Sequence, residues 1–416
     1  MPEKKNILVY AHWVGMKQPK LMGTLIAQQG KGSKAFSFEY SPEWLQSQEQ
    51  LLLDPHIGWY SGTQYNPLKE NFGIFLDSMP DTWGRTLMKR RAALLTAEGR
   101  KPARTLHDVD FLLGVYDKTR MGALRFKLDK DGPFLDDCDN MPAPPWNTAA
   151  ELQKAADMIE TDKNVKTIKK WLAILIAPGS SLGGARPKAN ITDKRDELWI
   201  AKFPSKNDTI DKAAWEFLAY KLALKCGVEM AESKLEKISG RHHTFFTKRF
   251  DRYGEERIHF ASAMTMTGYN EDTIRDNTAS YLDIAEFIQY HGAQNIKDME
   301  QLWRRIIFHI AISNTDDHLG NHGFLLTKKG WILSPAFDIN PSVDKTGLAL
   351  NIDTVRNDLD FELAKSVGEY FRLTNTQMNN IIQQVTTVVN SWKRIAVSIG
   401  ISKAEIELMS AAFKNF

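Results

Sequence analysis

Cysteine is nearly absent from this chain of 416 residues, which contains only Cys138 and Cys226. Two cysteines cannot form a disulfide framework, and these two lack the short spacing of a zinc-binding pair. The near-absence of cysteine therefore excludes a disulfide-stapled secreted domain and favours a reducing, intracellular setting.

Long apolar runs are missing as well. No stretch approaches the roughly 18 uninterrupted apolar residues that a membrane span needs. The opening stretch MPEKKNILVYAHW has no apolar signal core followed by a small-residue cleavage site. We therefore expect a cytoplasmic protein that does not contact the membrane.

The chain also has no strong excess of positive or negative charge. It contains no internal repeats and no low-complexity segments. Its formal net charge is +3, so a global surface for polyanions is not indicated. The composition, 43% hydrophobic and 25% charged, is ordinary for a globular protein, and the length predicts two or three packed units.

The pattern of apolar residues changes along the chain. The runs NILVYAHW, KLMGTLIAQ and KAFSFEYS predict a small antiparallel sheet near the N-terminus. A helix should follow Pro80, with Asp81 or Thr82 as its N-cap. Later, ELWIAKFP and HTFFTKRFD read as strands, and amphipathic helices dominate from about Ser280 onward. This order predicts an α+β protein.

One stretch, SNTDDHLGNHGFLL, crowds polar side chains directly before a run that reads as a buried strand. The next run, WILS, is separated from it by TKKG, which is a hairpin signal, and Asp338 follows. Because a hairpin brings its two ends together, Asn321 and Asp338 should be neighbours, with Asp316 on the same loop as Asn321. A simple solvated turn is the alternative interpretation.

The arrangement suits phosphoryl transfer from ATP. That reaction needs Mg²⁺ held by oxygen ligands against the phosphates, and a carboxylate that accepts the proton of the attacking hydroxyl. An Asp-x-x-x-x-Asn spacing with a further Asp after a hairpin is the protein-kinase layout. Asp316 is then the predicted catalytic base, and Asn321 and Asp338 are the predicted metal ligands. Spacing alone leaves a register with Asp317 as the base open.

Other kinase parts lie upstream in the expected order. Lys202, in ELWIAKFP, is the candidate for contacting the phosphates, and Glu216 on the next helix is its candidate ion-pair partner. Gly183 and Gly184 could let backbone amides approach phosphate. Each feature alone has an ordinary structural explanation, but their joint order is far more specific.

A metal hydrolase is the competing interpretation of the same loop. His318 and His322 are four residues apart and, with Asp316 and Asp317, could bind zinc. That spacing requires a helix, whereas Gly320 followed by a strand argues against one.

The chain resembles the HipA serine/threonine kinases, the toxins of bacterial toxin–antitoxin pairs. The resemblance rests on FLDSMPDTWGRTLMKRRA, SSLGGARPKA, LWIAKFP, TKRFDR, NTDDHLGNHGF and SPAFDIN, which occur in the family's order and span most of the chain. It implies a bilobal protein-kinase-like fold with a β-containing N-terminal lobe and an all-helical C-terminal lobe. The expected parts are an N-terminal β-rich subdomain with helices (1–150), a nucleotide-binding part (151–252) and a mainly helical lobe carrying the catalytic loop (253–416).

The resemblance also implies roles for single residues. The family's inhibitory autophosphorylation serine falls on Ser181, with Ser180 as the alternative. The hinge that receives adenine falls near Lys248 to Phe250, where the family commonly has Glu in place of Lys248. The remaining roles fall on the catalytic Asp316, the metal ligands Asn321 and Asp338, and the phosphate-contacting Lys202.

The best-known relatives phosphorylate an aminoacyl-tRNA synthetase and are held by a helix-turn-helix, HipB-like antitoxin, so DNA contact would be indirect. The resemblance thus implies a protein kinase that requires ATP and Mg²⁺ and acts as a growth-inhibiting toxin. Two alternatives stay open. DDHLGN is also similar to the loop of aminoglycoside phosphotransferases, which are small-molecule kinases. The second alternative is a catalytically weak regulatory subunit of a DNA-bound complex.

Overall fold

The computed structural model describes residues 3–30, 33–47, 50–67, 71–137, 143–161, 172, 175, 184–270, 274 and 279–414. The chain forms two compact units, each made from two stretches of sequence. The first comprises Met1–Lys206 and Arg249–Ala261, and the second comprises Asn207–Lys248 and Ser262–Phe416. The three-part division expected from the sequence stays a prediction.

An antiparallel sheet occupies the N-terminal part of the first unit, as the alternating runs predict. Along Glu3–Ala11, the alternate residues Ile7, Val9 and Ala11 are fully buried, which is the period of two expected for a half-buried strand. The strand order is Gln64–Tyr65, Ser33–Tyr40, Lys20–Gly30, Glu3–Ala11 and Leu124–Lys127.

Thr82–Ala97 is the longest helix in the described part of the first unit. That helix begins at Asp81, whose carboxylate accepts the backbone N–H of Gly84 at 2.8 Å, so Asp81 is the N-cap. The other helices are Pro42–Ser47, Gly73–Leu76, Asp108–Leu113 and Ala149–Thr161, with 3₁₀ turns at Asp117–Thr119 and Trp146–Thr148.

Two further strand pairs belong to the first unit. Lys188–Thr192 pairs antiparallel with Leu198–Lys202, which confirms the strand predicted from ELWIAKFP. Arg252–Tyr253 and Glu256–Arg257 form a short hairpin. A short strand, Phe260–Ser262, lies where the chain passes from the first unit to the second.

Two antiparallel strand pairs lie in the described part of the second unit. Ser233–Glu236 pairs with Thr244–Lys248, and Gly323–Thr327 pairs with Gly330–Leu333. The second pair closes at Thr327 and Gly330, so TKKG forms the predicted hairpin turn.

Several helices of the second unit pack against the helix Asn295–Ile312. This helix is buried on every face over its last turns, as expected of a central core helix. The helices Asn375–Val389 and Trp392–Ile399 are separated by Asn390 and Ser391, which are weak helix formers. No described helix is both long and apolar enough to cross a bilayer. The other helices are Lys212–Lys225, Ala263–Met266, Tyr281–His291, Phe361–Ser366, Asn375–Val389, Trp392–Ile399 and Lys403–Leu408, with 3₁₀ turns at Leu319–Asn321, Gly368–Phe371 and Met409–Phe413.

Candidate active site

The buried helix Asn295–Ile312 leads directly into a polar segment, residues 313–322, which we call the Asp-rich loop. The helix ends at Ser313, whose backbone is left-handed with φ of 50°. The Ser313 hydroxyl donates to the carbonyl of Ala412 at 2.9 Å. At the other end, Gly323 begins the hairpin. The loop is therefore anchored on both sides by core elements.

Asp316 is the exposed aspartate of this loop. Its side chain is 78% exposed, and Lys345 Nζ lies 3.8 Å from its Oδ1. Asn321 is buried and its Nδ2 donates to the backbone carbonyl of Asp316 at 3.0 Å. With the Asn321 nitrogen committed, its Oδ1 is the atom suited to binding a cation.

Asp317, unlike its neighbour Asp316, is buried and has several hydrogen-bond partners. Its side chain is 2% exposed, and its Oδ2 lies 2.7 Å from His309 Nδ1 and 2.8 Å from His322 Nε2. Tyr281 donates its hydroxyl to the same oxygen at 2.6 Å. Burial opposes ionisation, but His309 and His322 outweigh it and hold the pKa of Asp317 well below its usual range. A general base must reach the substrate proton, so this geometry favours Asp316 over Asp317.

The two loop histidines have separate partners. His318 Nδ1 accepts the backbone N–H of Gly320 at 3.1 Å, whereas His322 contacts Asp317. They flank the 3₁₀ turn Leu319–Asn321 and do not share a face of an α-helix. Across the part of the chain that the structure describes, no group of three or more His, Cys, Asp or Glu side chains could hold a metal ion. The zinc site considered from the spacing is therefore not formed.

The segment after the hairpin, residues 335–342, returns to the Asp-rich loop. The side-chain oxygen of Asn314 accepts the backbone N–H of Asn340 at 3.3 Å. Asn340 Nδ2 in turn donates to Asp338 Oδ1 at 3.3 Å. This chain of hydrogen bonds connects Asp338 to the loop that carries Asp316.

Asp338 has an unusual backbone. Its φ is 57°, a left-handed conformation that non-glycine residues rarely adopt and that costs of order 1–3 kcal/mol. Glu216, buried on Lys212–Lys225, lines a small cavity together with Asp338. Sequence spacing indicated Asp338 but gave no sign of the strain, because backbone angles depend on tertiary contacts.

The donor set fits a magnesium ion bound together with a nucleotide. Asn321 and Asp338 offer an amide oxygen and a carboxylate, and Mg²⁺ prefers oxygen ligands. In kinase sites this ion uses one or two protein ligands and takes further oxygens from phosphates and water. The small number of protein donors is thus consistent with magnesium.

Several predicted residues lie in the first unit. Lys202 is half-buried at the end of Leu198–Lys202, and the aromatic rings of Phe250 and Phe260 pack with their centroids 5.9 Å apart. Gly184 is left-handed, with φ of 81°. Gly183 and Ser181 lie outside the described residues.

Lys248 ends the strand Thr244–Lys248 in the second unit, where its Nζ lies 4.0 Å from Glu232. The chain passes between the units immediately after Lys248, within the stretch predicted to be the hinge. The pairing of Lys202 with Glu216 stays a prediction.

A buried ion pair in the first unit was not predicted from the sequence. Lys188 Nζ lies 2.7 Å from Asp81 Oδ2, and the two side chains are 2% and 4% exposed. Trp83 Nε1 donates to the backbone carbonyl of Lys188 at 3.0 Å. Burial raises the pKa of Asp81 to about 6, although Lys188 opposes the rise. These contacts attach the helix after Asp81 to the strand that follows Gly184.

The fold belongs to the HipA class of α+β proteins. It matches a chain in the solved Shewanella oneidensis toxin–antitoxin complex of HipA, HipB and operator DNA. The TM-score is 0.66 at 17% identity, and the match covers 98% of this chain and 95% of that one. The chain itself belongs to the HipA-like C-terminal domain family, whose model matches residues 180–392, half of the sequence.

Two other proteins are similar over part of the chain. A curated Haemophilus influenzae protein with a provisional kinase name is 26% identical over 179 residues, covering 38% of this chain and 52% of that protein. The chain thus spans about half the length of this curated relative. A solved Helicobacter pylori proinflammatory kinase, CtkA, matches 51% of this chain and 95% of its own at 12% identity, with a TM-score of 0.35.

Proposed function

We propose that this protein is an ATP- and Mg²⁺-dependent serine/threonine protein kinase that acts as a growth-inhibiting toxin. One observation carries the proposal: an exposed aspartate, Asp316, shares a loop with Asn321, and hydrogen bonds connect that loop to Asp338. This combination supplies a base and two oxygen ligands, which are the protein groups that phosphoryl transfer needs.

In this mechanism Asp316 accepts the proton of the acceptor hydroxyl. Its exposure lets a substrate reach the carboxylate, and the hydrogen bond from Asn321 fixes the backbone beneath it. Asn321 and Asp338 would hold Mg²⁺, which neutralises charge on the transferred phosphoryl group.

The remaining roles concern the nucleotide. We assign phosphate contact to Lys202, oriented by Glu216, and backbone contacts to Gly183 and Gly184. The adenine would lie against the stretch from Lys248 to Phe250. The left-handed backbone of Gly184 supports part of this assignment, since such a turn can aim amide groups at an anion.

Replacing the base tests the mechanism. Asp316→Asn should retain the fold and ATP affinity but lose about 10²–10⁴-fold in transfer rate, because general-base assistance is removed. Phosphate transfer from labelled Mg-ATP to protein acceptors is the measurement, with the exposed Asp344→Asn as a matched control. Near-normal transfer by Asp316→Asn would contradict the assignment.

The same assay separates the competing functions. Transfer to aminoglycosides in preference to protein would indicate a small-molecule kinase, which the similarity of DDHLGN to that loop type makes the second candidate. Binding of Mg-ATP without transfer to any acceptor would indicate a regulatory subunit.

We also propose that the kinase inactivates itself by phosphorylating Ser181. A phosphoserine carries about −1.5 to −2 charges at neutral pH and would repel ATP or pair with a nearby cation. Arg186 and Lys188 are the candidate cations for that pairing.

Peptide mapping after incubation with Mg-ATP tests this regulation. The wild type should gain one phosphate on Ser181 and lose ATP affinity, whereas Ser181→Ala should stay unmodified there, with Ser180→Ala as the control. An active wild-type kinase with no phosphate on this loop would contradict autoregulation and leave the catalytic assignment standing.

The proposed partners are a helix-turn-helix, HipB-like antitoxin and a protein substrate, for which an aminoacyl-tRNA synthetase is the candidate. The matched Shewanella structure, which contains HipB and operator DNA, supports the antitoxin. Contact with DNA would then be indirect. Co-purification with the product of a neighbouring gene tests the first partner, and phosphorylation of purified synthetases tests the second.

A further inference from the structure

Four buried side chains meet beneath the Asp-rich loop and form what we call the Asp317 cluster. Tyr281, His309 and His322 all contact the single oxygen Oδ2 of Asp317, at 2.6, 2.7 and 2.8 Å. They come from different elements: Tyr281 begins one helix, His309 lies in the last turn of another, and His322 precedes the hairpin. The proposed catalytic chemistry uses none of these groups.

The two histidines of the cluster contact Asp317 in the same way. His309 uses Nδ1 and His322 uses Nε2, which lie 2.7 and 2.8 Å from Asp317 Oδ2. These contacts outweigh the effect of burial and hold the pKa of Asp317 well below its usual range. Asp317 therefore enters the cluster as a carboxylate.

The fully buried Arg305 attracts the negative charge of Asp317. Burial lowers the pKa of Arg305 to about 10, and attraction to Asp317 is the largest effect opposing that change. Arg305 also donates to the carbonyl of Ser334 at 2.6 Å, just after the hairpin. The cluster is consequently an ordered, compensated unit, which buried charge requires.

The cluster holds both ends of the functional loop. Asp317 is the chain neighbour of Asp316, and His322 is the chain neighbour of Asn321. Between them, Asn321 Nδ2 bonds to the Asp316 carbonyl. A shift of Asp317 or His322 would therefore move the proposed base and the proposed metal ligand together.

We propose that the Asp317 cluster positions Asp316 and Asn321 for phosphoryl transfer, so that Tyr281, His309, Asp317 and His322 are positioning residues. The inference rests on the proposed kinase function. The inference goes beyond that function because it gives a role in catalysis to four buried side chains that have no part in the proposed chemistry. Misplacing a reacting group by about 1 Å can cost about 10²-fold in rate.

Three variants separate positioning from simple stability. Tyr281→Phe removes one hydroxyl and keeps the ring, His322→Gln keeps a donor near the Nε2 position, and His322→Met removes it. We expect Tyr281→Phe and His322→Met to lower kcat by about 10–100-fold and to raise the Mg²⁺ concentration for half-maximal rate, with KM for ATP little changed. His322→Gln should recover most of the rate.

The rates are measured well below each melting temperature and are normalised to the fraction of protein that binds ATP. Wild-type kcat per binding-competent molecule in Tyr281→Phe and His322→Met would overturn the proposal, since a purely structural cluster changes only the folded fraction.

A second measurement does not depend on activity. Hydrogen exchange at the amides of residues 314–321 should quicken in Tyr281→Phe and His322→Met, while the helix Asn295–Ile312 keeps its protection. If the wild type transfers no phosphate, the proposed function fails, and loop exchange still decides whether the cluster positions Asp316 and Asn321. Unchanged exchange in the loop would overturn it.

Discussion

Asp338 is the residue at which backbone strain and the proposed chemistry coincide. Aspartate and asparagine both tolerate its left-handed conformation, so Asp338→Asn removes the charge without adding strain. We expect this variant to bind Mg-ATP about tenfold more weakly or worse, and to bind ATP almost equally with and without Mg²⁺.

Calorimetric titration of ATP with and without Mg²⁺ measures this effect. Asp344→Asn, an exposed aspartate on the following segment, is the control and should behave as the wild type. A magnesium dependence that survives in Asp338→Asn would remove Asp338 from the list of metal ligands.

The spacing of residues in the sequence identified only some of the single residues that form the candidate site. The Asp-x-x-x-x-Asn pattern and the hairpin indicated Asp316, Asn321 and Asp338 as one group, and the structure connects them by hydrogen bonds. It could not separate Asp316 from Asp317, because adjacent identical residues differ only in burial. Asp317 is buried because Tyr281, His309 and His322 contact it, and these three residues come from separate parts of the chain.

At the scale of elements, the helix Thr82–Ala97 is attached to the strand Lys188–Thr192 by the buried pair of Asp81 and Lys188. Asn is as good an N-cap as Asp, so Asp81→Asn should keep the cap while leaving the Lys188 ammonium buried without a carboxylate. Breaking a buried pair in this way typically costs about 3–5 kcal/mol.

The matched double variant Asp81→Asn with Lys188→Met should recover much of that loss, because no unpaired charge then remains. Denaturant unfolding of both single variants and the double variant gives the coupling energy. Additive effects of the two substitutions would show that the pair contributes nothing beyond its separate side chains.

Elements were predictable where local signals were strong. Alternation gave the N-terminal strands, Asp81 gave the start of its helix, and TKKG gave the hairpin turn. The Asp81–Lys188 pair was not predictable, because its partners are 107 residues apart and each resembles an ordinary surface charge in the sequence.

At the scale of the whole molecule, each compact unit is built from separated stretches of chain. In the first unit, the fully buried Asp251 accepts the backbone N–H of Gly122 at 2.8 Å. Arg252 donates to the carbonyl of Arg120, and Arg249 donates to the carbonyl of Thr119. The stretch Arg249–Ala261 therefore supplies hydrogen-bond partners that residues 119–122 need when buried.

This arrangement predicts the behaviour of fragments. A fragment of residues 1–206 should be poorly folded, because Arg249, Asp251 and Arg252 are missing, whereas 1–261 should show more ordered structure. Near-ultraviolet circular dichroism and amide exchange at residues 117–124 compare the two. Equal protection in both fragments would show that the returning stretch is dispensable.

The interruption of both units has a consequence for how such proteins can diversify. The family similarity begins at residue 180, inside the first unit, and ends at Trp392, whose ring stacks on Phe413 with centroids 4.2 Å apart. The segment matched by the family model thus coincides with neither compact unit. Recombination between relatives at residue 206 would combine one parent's Gly122 with the other parent's Asp251. Such exchanges should succeed only between parents whose buried networks already match, which would favour inheritance of the chain as a whole.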